Sequence, residues 1–116
     1  MAEDKSLELL RGTLDLLVLK ALAFEPMHGY AVSKWIRERT KGLIGVEDSA
    51  LYQALHRLEH RGWVGSEWGL TETNRQAKFY LLTDRGREQL AREVENWRRY
   101  ARAVQLVLKP VPGSTR

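Results

Sequence analysis

The spacing of apolar residues along the chain predicts helices before any strand. From Thr13 to Phe24 they occupy almost every position, so this first helix has to be covered on more than one side. Glu25 and Pro26 end it, because the residue before a proline is biased away from helical geometry. A second helix is predicted from His28 to Thr40, where apolar residues return at helical spacing on one face.

The third predicted helix, Ser49 to Arg61, separates apolar from polar side chains most clearly. At 100° per residue, Leu51, Leu55 and Leu58 fall on one face. The side chains on the opposite side are Ser49, Tyr52, Gln53, His56 and His60. One face is therefore expected to pack on a core while the other is presented, and Gly62 is expected to end the helix.

Two extended runs come next and predict a β-hairpin. Trp63 to Trp68 and Ala77 to Leu82 are rich in the aromatic and aliphatic residues that favour strands. The polar segment Gly69 to Gln76 between them is too long for a tight turn. The hairpin should therefore have a projecting tip.

The last predicted helix is long and carries a repeating apolar seam. Thr83 can cap its first turn, and we expect the helix to extend to about Leu108, before Pro110. Apolar residues recur at spacings of four and three: Leu90, Val94, Trp97, Ala101, Val104 and Leu108. A helix of this length spans roughly 37 Å, which is more than a chain of this size can cover. Part of the seam is therefore predicted to meet another subunit.

Three helices, a hairpin and a long helix follow each other in the order of a winged helix-turn-helix. The predicted fold class is mainly α with a small β-hairpin. It comprises a winged-helix DNA-binding region at 1–82, a dimerisation helix at 83–109 and a flexible tail at 110–116. In such a fold the third helix enters the major groove of DNA, and the hairpin tip touches the adjacent backbone or minor groove.

This fold singles out candidate DNA contacts. They are Ser49, Ala50, Tyr52, Gln53, His56 and Arg57 on the third helix, Lys34 on the second helix, and Arg75 and Lys78 in the hairpin. Gln53 suits bidentate contact with adenine, and Arg57 suits phosphate or guanine. The alternative is an ordinary solvated helix, but the hairpin directly after it favours DNA binding. Asp48 would repel phosphate, so we interpret it as a helix cap.

The composition changes this picture little. Apolar residues make up 43% of the 116 positions, enough for one modest core, and the net charge of +4 weakly favours a polyanionic partner. The absence of cysteine excludes disulfides and thiolate sites. The apolar stretch Leu14 to Phe24 is too short to span a bilayer, and no secretion signal precedes it. We therefore expect a cytoplasmic protein with no membrane partner.

Catalytic and metal chemistry have no recognisable motif. His56 and His60 lie one helical turn apart, but Arg57 follows His56 where a metalloprotease needs glutamate, and no third ligand is in evident reach. We find neither a glycine-rich phosphate loop nor a Ser-His-Asp arrangement with a recognisable context. We predict no enzyme activity, no cofactor and no metal, and we interpret His28 as a helix-start or packing residue.

Three segments resemble the PadR family of bacterial transcriptional regulators: HGY at the second helix, ALYQALHRLEHRGWV across the third, and FYLLTDRG after the hairpin. The positions that match the family's motifs are Leu51, Tyr52, Ala54, Leu55, Arg57, Leu58, Glu59, Gly62, Tyr80, Leu82, Thr83 and Gly86. The likeness runs from about Leu9 to Leu108 and is to the short form with a single C-terminal helix. The chain departs from the family's usual residues at Ser49, Ala50, Gln53 and Ala77. These departures imply operator contacts that differ from those of a typical member.

The resemblance implies a homodimer, built through the first and last helices, that represses transcription from a palindromic operator. The implied interface residues are Leu14, Leu17, Leu90, Val94, Trp97, Ala101, Val104 and Leu108. It also suggests a small aromatic effector at the dimer centre, a phenolic compound or a flat drug. Trp97 would stack on that molecule, bordered by Tyr100, Asp15 and Leu14.

Two other functions stay open at this stage. Winged helices also serve as protein-interaction adaptors that do not touch DNA, and an adaptor would lack the steep salt dependence of phosphate binding. RNA binding is less favoured, because the chain has no evident array of stacking aromatics outside its predicted core positions.

Overall fold

A computed structural model describes residues 12–113 and contains four helices and a three-stranded antiparallel sheet. In chain order the elements are α1 (Thr13–Phe24), β1 (Met27–His28), α2 (Gly29–Arg39), α3 (Asp48–His60), β2 (Val64–Leu70), β3 (Gln76–Leu82) and α4 (Asp84–Leu108). The predicted fold class is confirmed, and the predicted bounds of the four helices hold to within a residue. Both predicted end regions, 1–82 and 110–116, include residues outside the described range.

The core forms where the helices meet the sheet. Leu51, Leu55 and Leu58 of α3 have no exposed surface, which confirms the apolar face predicted for this helix. Val18 and Leu19 of α1 are likewise fully buried. Because α1 contacts α2, α3, α4 and β3, its apolar residues are covered on more than one side, as predicted.

The hairpin is present, but it belongs to a larger sheet than the sequence predicts. Strand β1 pairs antiparallel with β3, placing Met27 opposite Tyr80 and His28 opposite Phe79. A strand of two residues has no alternation that a sequence pattern could reveal. The Nδ1 atom of His28 then accepts a hydrogen bond from the backbone N–H of Ala31 at 3.2 Å, so His28 caps α2 as a helix-start residue.

Helix α3 begins one residue earlier than predicted. The N-cap is Glu47, with extended backbone and no side-chain hydrogen bond, so the interpretation of Asp48 as the cap is wrong. The backbone N–H of Leu51 donates to the Glu47 carbonyl at 2.9 Å, which makes Asp48 the first helical residue. Gly62 ends the helix as predicted, in the left-handed conformation with φ of 77°.

The start of α4 is locked against the end of α3. The hydroxyl of Thr83 accepts from the Gly86 N–H at 3.0 Å and donates to the Gly62 carbonyl at 2.7 Å, which confirms Thr83 as the cap. A Cβ atom on Gly86 would lie 2.0 Å from the carbonyl oxygen of Trp63. Only glycine fits here, and this close contact sets the direction in which α4 leaves the domain.

The cover over the α4 seam decreases along the helix. Leu90 and Val94 are partly buried, and α4 contacts α1. Farther along, Val104 is 39% exposed and Leu108 is 74% exposed. Within residues 12–113 nothing covers the last turns of the seam, which leaves an apolar strip on the surface.

Candidate nucleic-acid interface

The outer face of α3 is polar and open. Ser49, Gln53, His56 and His60 are exposed on the side opposite the buried leucines. Ala50 is partly buried, while Tyr52 and Arg57 stand at the two flanks of this face. The predicted contact residues of α3 therefore share one surface, but not all of them are free.

One flank of α3 is bound to α1 by an ion pair. Arg57 donates from Nη2 to Oδ1 of Asp15 at 2.5 Å and from Nε to Oδ2 at 3.4 Å, and this contact raises the pKa of Arg57. The side chains are 46% and 19% exposed, respectively. The structure thus joins a predicted DNA contact to a residue predicted for the effector pocket. The sequence contained a signal for this ion pair, because Asp15 is the one carboxylate in the mainly apolar helix α1, and such a group is rarely buried without a partner.

The other flank is bound to the hairpin through Glu59. Its carboxylate accepts from the Ser66 hydroxyl at 2.5 Å and from Nζ of Lys78 at 3.2 Å. These bonds, led by that from Ser66, lower the pKa of Glu59. Lys78 also lies 5.4 Å from the ring centre of Tyr80. Lys78, a predicted DNA contact, is therefore held against α3, and Glu59 has a role that the sequence reasoning missed.

Tyr52 lies over the beginning of α2. Its hydroxyl would be 2.5 Å from a Cβ atom on Gly29, so the glycine makes room for the ring. Half of the Tyr52 side chain remains exposed. On α2 itself, Lys34 and Arg37 share the outer face, and neither has an ion-pair partner among residues 12–113.

The hairpin forms a wing whose tip is shorter than predicted. The strands extend to Leu70 and from Gln76, leaving a five-residue loop in which the Thr71 N–H donates to the Arg75 carbonyl at 2.8 Å. Arg75 is exposed at this tip, as expected for a backbone contact. Glu72 is exposed beside it, so the tip also carries a negative charge that the sequence reasoning did not weigh.

Trp68 is the largest exposed side chain of the wing, with 70% of its surface accessible. The sequence reasoning counted it as a strand residue only. Strand alternation could have predicted the sheet face that Trp68 occupies, because Trp68 is two residues beyond Ser66 and therefore on the same face.

A cavity of about 460 Å³ lies between the beginning of α1 and the middle of α4. Its lining residues are Gly12, Thr13, Leu16, Glu93, Asn96, Trp97 and Tyr100. Two residues predicted for an effector site, Trp97 and Tyr100, therefore come together. The α1 wall is formed by Thr13 and Leu16, whereas Leu14 and Asp15 are not part of this lining.

Two observations bear on other kinds of site. Among residues 12–113, no three histidine, aspartate or glutamate side chains are grouped as metal ligands would be. No helix in the same range is both long and apolar enough to cross a membrane.

The chain resembles known regulators in sequence and in fold. Residues 18–92 match the model of the transcriptional regulator PadR-like family. The fold is similar to that of a transcriptional regulator from Clostridium thermocellum, with 30% identity, a TM-score of 0.78, and coverage of 85% of this chain and 93% of the other. It is also similar to that of a PadR family transcriptional regulator from Eggerthella lenta, with 34% identity, a TM-score of 0.75, and coverage of 87% of this chain and 86% of the other.

A longer relative matches part of the chain. An uncharacterized 37.1 kDa protein in transposon Tn4556 of Streptomyces fradiae is 42% identical over 84 residues, which are 72% of this chain and 23% of that protein.

Proposed function

The chain belongs to the PadR-like family of transcriptional regulators, and on this premise we propose that it represses transcription by binding a pseudo-palindromic operator as a homodimer. The observation that carries the proposal is the open polar face of α3 beside a wing, with cations on either side that have no ion-pair partner among residues 12–113. Gln53 lies near the centre of this face, exposed and able to read adenine in the major groove.

Phosphate contacts would come from the rim of this face. Lys34 and Arg37 on α2 and Arg75 on the wing are exposed, and no carboxylate of residues 12–113 pairs with them. Arg57 uses two of its five N–H groups on Asp15, so three remain for a phosphate at the flank. Lys78 would contribute if it exchanged Glu59 for phosphate. Ser49, Ala50, Tyr52 and His56 complete the proposed contact surface.

The dimer is proposed on the exposed strip of α4. Val104 and Leu108 continue the seam of Leu90, Val94, Trp97 and Ala101 beyond the part that α1 covers. Leu14 and Leu17 of α1 are partly buried against the core and would form the edge of the same interface. A two-fold dimer would place two α3 helices roughly 34–36 Å apart, in successive major grooves on one side of the duplex.

Selection of bound duplexes from a random library tests this function directly. We expect an enriched pseudo-palindrome whose half-sites are about 10 base pairs apart. If Lys34, Arg37 and Arg75 of both protomers each neutralise one phosphate, log Kd should rise with log salt with a slope of about 5. Recovery of no palindrome, together with a slope near zero for any bound duplex, would instead favour the protein-interaction adaptor.

We also propose that a small planar aromatic molecule releases the repressor. The supporting observation is the α1–α4 cavity, where Trp97 is 45% exposed and Tyr100 is 61% exposed beside the carboxylate of Glu93. Titration with a phenolic acid and with a planar cation should quench fluorescence in the wild type and in Trp35→Phe, but not in Trp97→Phe. Equal quenching in all three proteins would place the ligand elsewhere.

A further inference from the structure

We propose that Trp68 is an apolar DNA contact, packing its indole against deoxyribose and base edges in the minor groove next to α3. The inference rests on the proposed DNA-binding function and adds a contact of a different kind. The candidate contacts considered so far are polar or charged, apart from Ala50, and Trp68 belongs to neither the core nor the α4 seam.

Strand register places Trp68 on the side of the sheet that faces α3. Ser66 bonds to Glu59 of α3, and strand side chains alternate, so Trp68 shares the face of Ser66 one repeat nearer the tip. Lys78 is its register partner across the ladder and lies on the same face, bonded to Glu59 as well. Trp68 therefore extends the α3 surface outward along the wing.

Exposure separates Trp68, and Leu70 after it with 61% of its surface exposed, from the residues of that face nearer the core. Farther down the strands, Val64 and Leu82 are 2% and 8% exposed, whereas Trp68 is 70% exposed. Covering a large aromatic side chain that is exposed to water lowers the free energy, and tryptophan is enriched among the residues that dominate interfaces.

The charges around Trp68 favour DNA as the molecule that covers it. Arg75 is at the tip, next to Glu72, and Lys78 is beside Trp68, where it would have to exchange Glu59 for phosphate. A DNA backbone that reached the wing would meet these cations while the indole met the sugar edges. Proteins that touch the minor groove commonly add apolar side chains to such cationic contacts. The surface is also continuous with the exposed polar face of α3, whereas the proposed dimer seam runs along α4.

An apolar contact has a signature that a cationic one lacks. Removing a phosphate-binding cation lowers the salt slope, because fewer counterions are released, but removing an indole leaves the slope unchanged. We expect Trp68→Ala to weaken operator binding about tenfold at every salt concentration, and Trp68→Phe to retain most of the affinity. Arg75→Ala should weaken binding and also lower the slope by about 1 per protomer.

The experiment compares wild type, Trp68→Ala, Trp68→Phe and Arg75→Ala on one selected operator at several salt concentrations. Phe24→Ala is the matched control. Phe24 is also a large apolar residue with 67% exposure, but it is the last residue of α1 and not part of the wing. Its binding should equal that of the wild type. Operator addition should quench less tryptophan fluorescence in Trp68→Phe than in the wild type.

The outcomes separate this inference from the proposed function. Operator binding by the wild type with unchanged affinity in Trp68→Ala would overturn the role of Trp68 and leave the repressor intact. A loss of affinity accompanied by a lower salt slope, or by dissociation of the dimer in sedimentation, would also overturn it. Failure of the wild type to bind any duplex would overturn both.

Discussion

The ion pair between Arg57 and Asp15 predicts unequal losses of stability when one partner or the other is replaced. Replacing Arg57 by alanine leaves the carboxylate of Asp15, which is only 19% exposed, without its cation. Replacing Asp15 by asparagine leaves Arg57, which is 46% exposed, able to recover hydration. The two single substitutions break the same contact, yet the first should cost more stability than the second.

The magnitudes follow from how well water can replace the lost partner. An uncompensated polar group with little access to water costs about 1–3 kcal/mol, so we expect this loss in the unfolding free energy of Arg57→Ala. An exposed ion pair contributes about 0.2–1 kcal/mol, and a carboxylate in the first turn of a helix adds roughly 0.3–1 kcal/mol. Asp15→Asn should therefore cost about 1 kcal/mol.

Urea unfolding followed by circular dichroism measures both changes. All variants should be compared at one protein concentration, because a dimer's stability depends on it. The double variant Asp15→Asn/Arg57→Ala should show a coupling of about 1 kcal/mol. Arg37→Ala, which removes an arginine with no ion pair among residues 12–113, should change stability by less than about 0.5 kcal/mol. An Asp15→Asn loss larger than that of Arg57→Ala, or additive effects, would refute the reasoning.

Three further predictions concern the helix junction, the wing and the dimer. Gly86→Ala should cost about 2–4 kcal/mol in urea unfolding, because its Cβ would meet the Trp63 carbonyl, whereas Gly45→Ala, which meets nothing within 4 Å, should be nearly neutral. The lowered pKa of Glu59 means that its stabilising bonds are complete above about pH 4.3 and are lost as pH falls through the folded-state pKa. Wild type should therefore lose more unfolding free energy than Glu59→Gln between pH 7 and about pH 3, and parallel curves would contradict this. Val104→Glu should dissociate the proposed dimer in sedimentation at unchanged helicity, while Arg99→Glu on the opposite side of α4 should leave it intact.

Local signals were enough to predict where α1 and α3 end and where α4 begins, because a proline, a glycine or a capping side chain stands at each of these points. Pro26 ends α1, Gly62 adopts positive φ after α3, and Thr83 caps α4. Strand β1 could not be predicted in this way. Its pairing with β3 depends on where the folded chain places Met27, and a two-residue strand has no pattern of its own.

The exposed face of α3 could be predicted from a local signal as well. Helical periodicity places Gln53 and His56 on the exposed face of α3, and the structure confirms that exposure. Periodicity cannot predict which exposed cations find a carboxylate within the chain. Arg57 and Asp15 are 42 residues apart, so their pairing is a consequence of how α1 packs on α3.

Three consecutive residues of α3 explain how its exposed polar face is held in place. Successive helical positions are 100° apart, so Arg57 points to α1, Leu58 to the core and Glu59 to the wing. Helix α3 cannot rotate without breaking the bond at one flank, since each flank is fixed to a different part of the fold. If the proposed effector displaced α1, Asp15 and the core residues of α1 that contact α3 would move together, so the ion pair and the core packing would both act on α3.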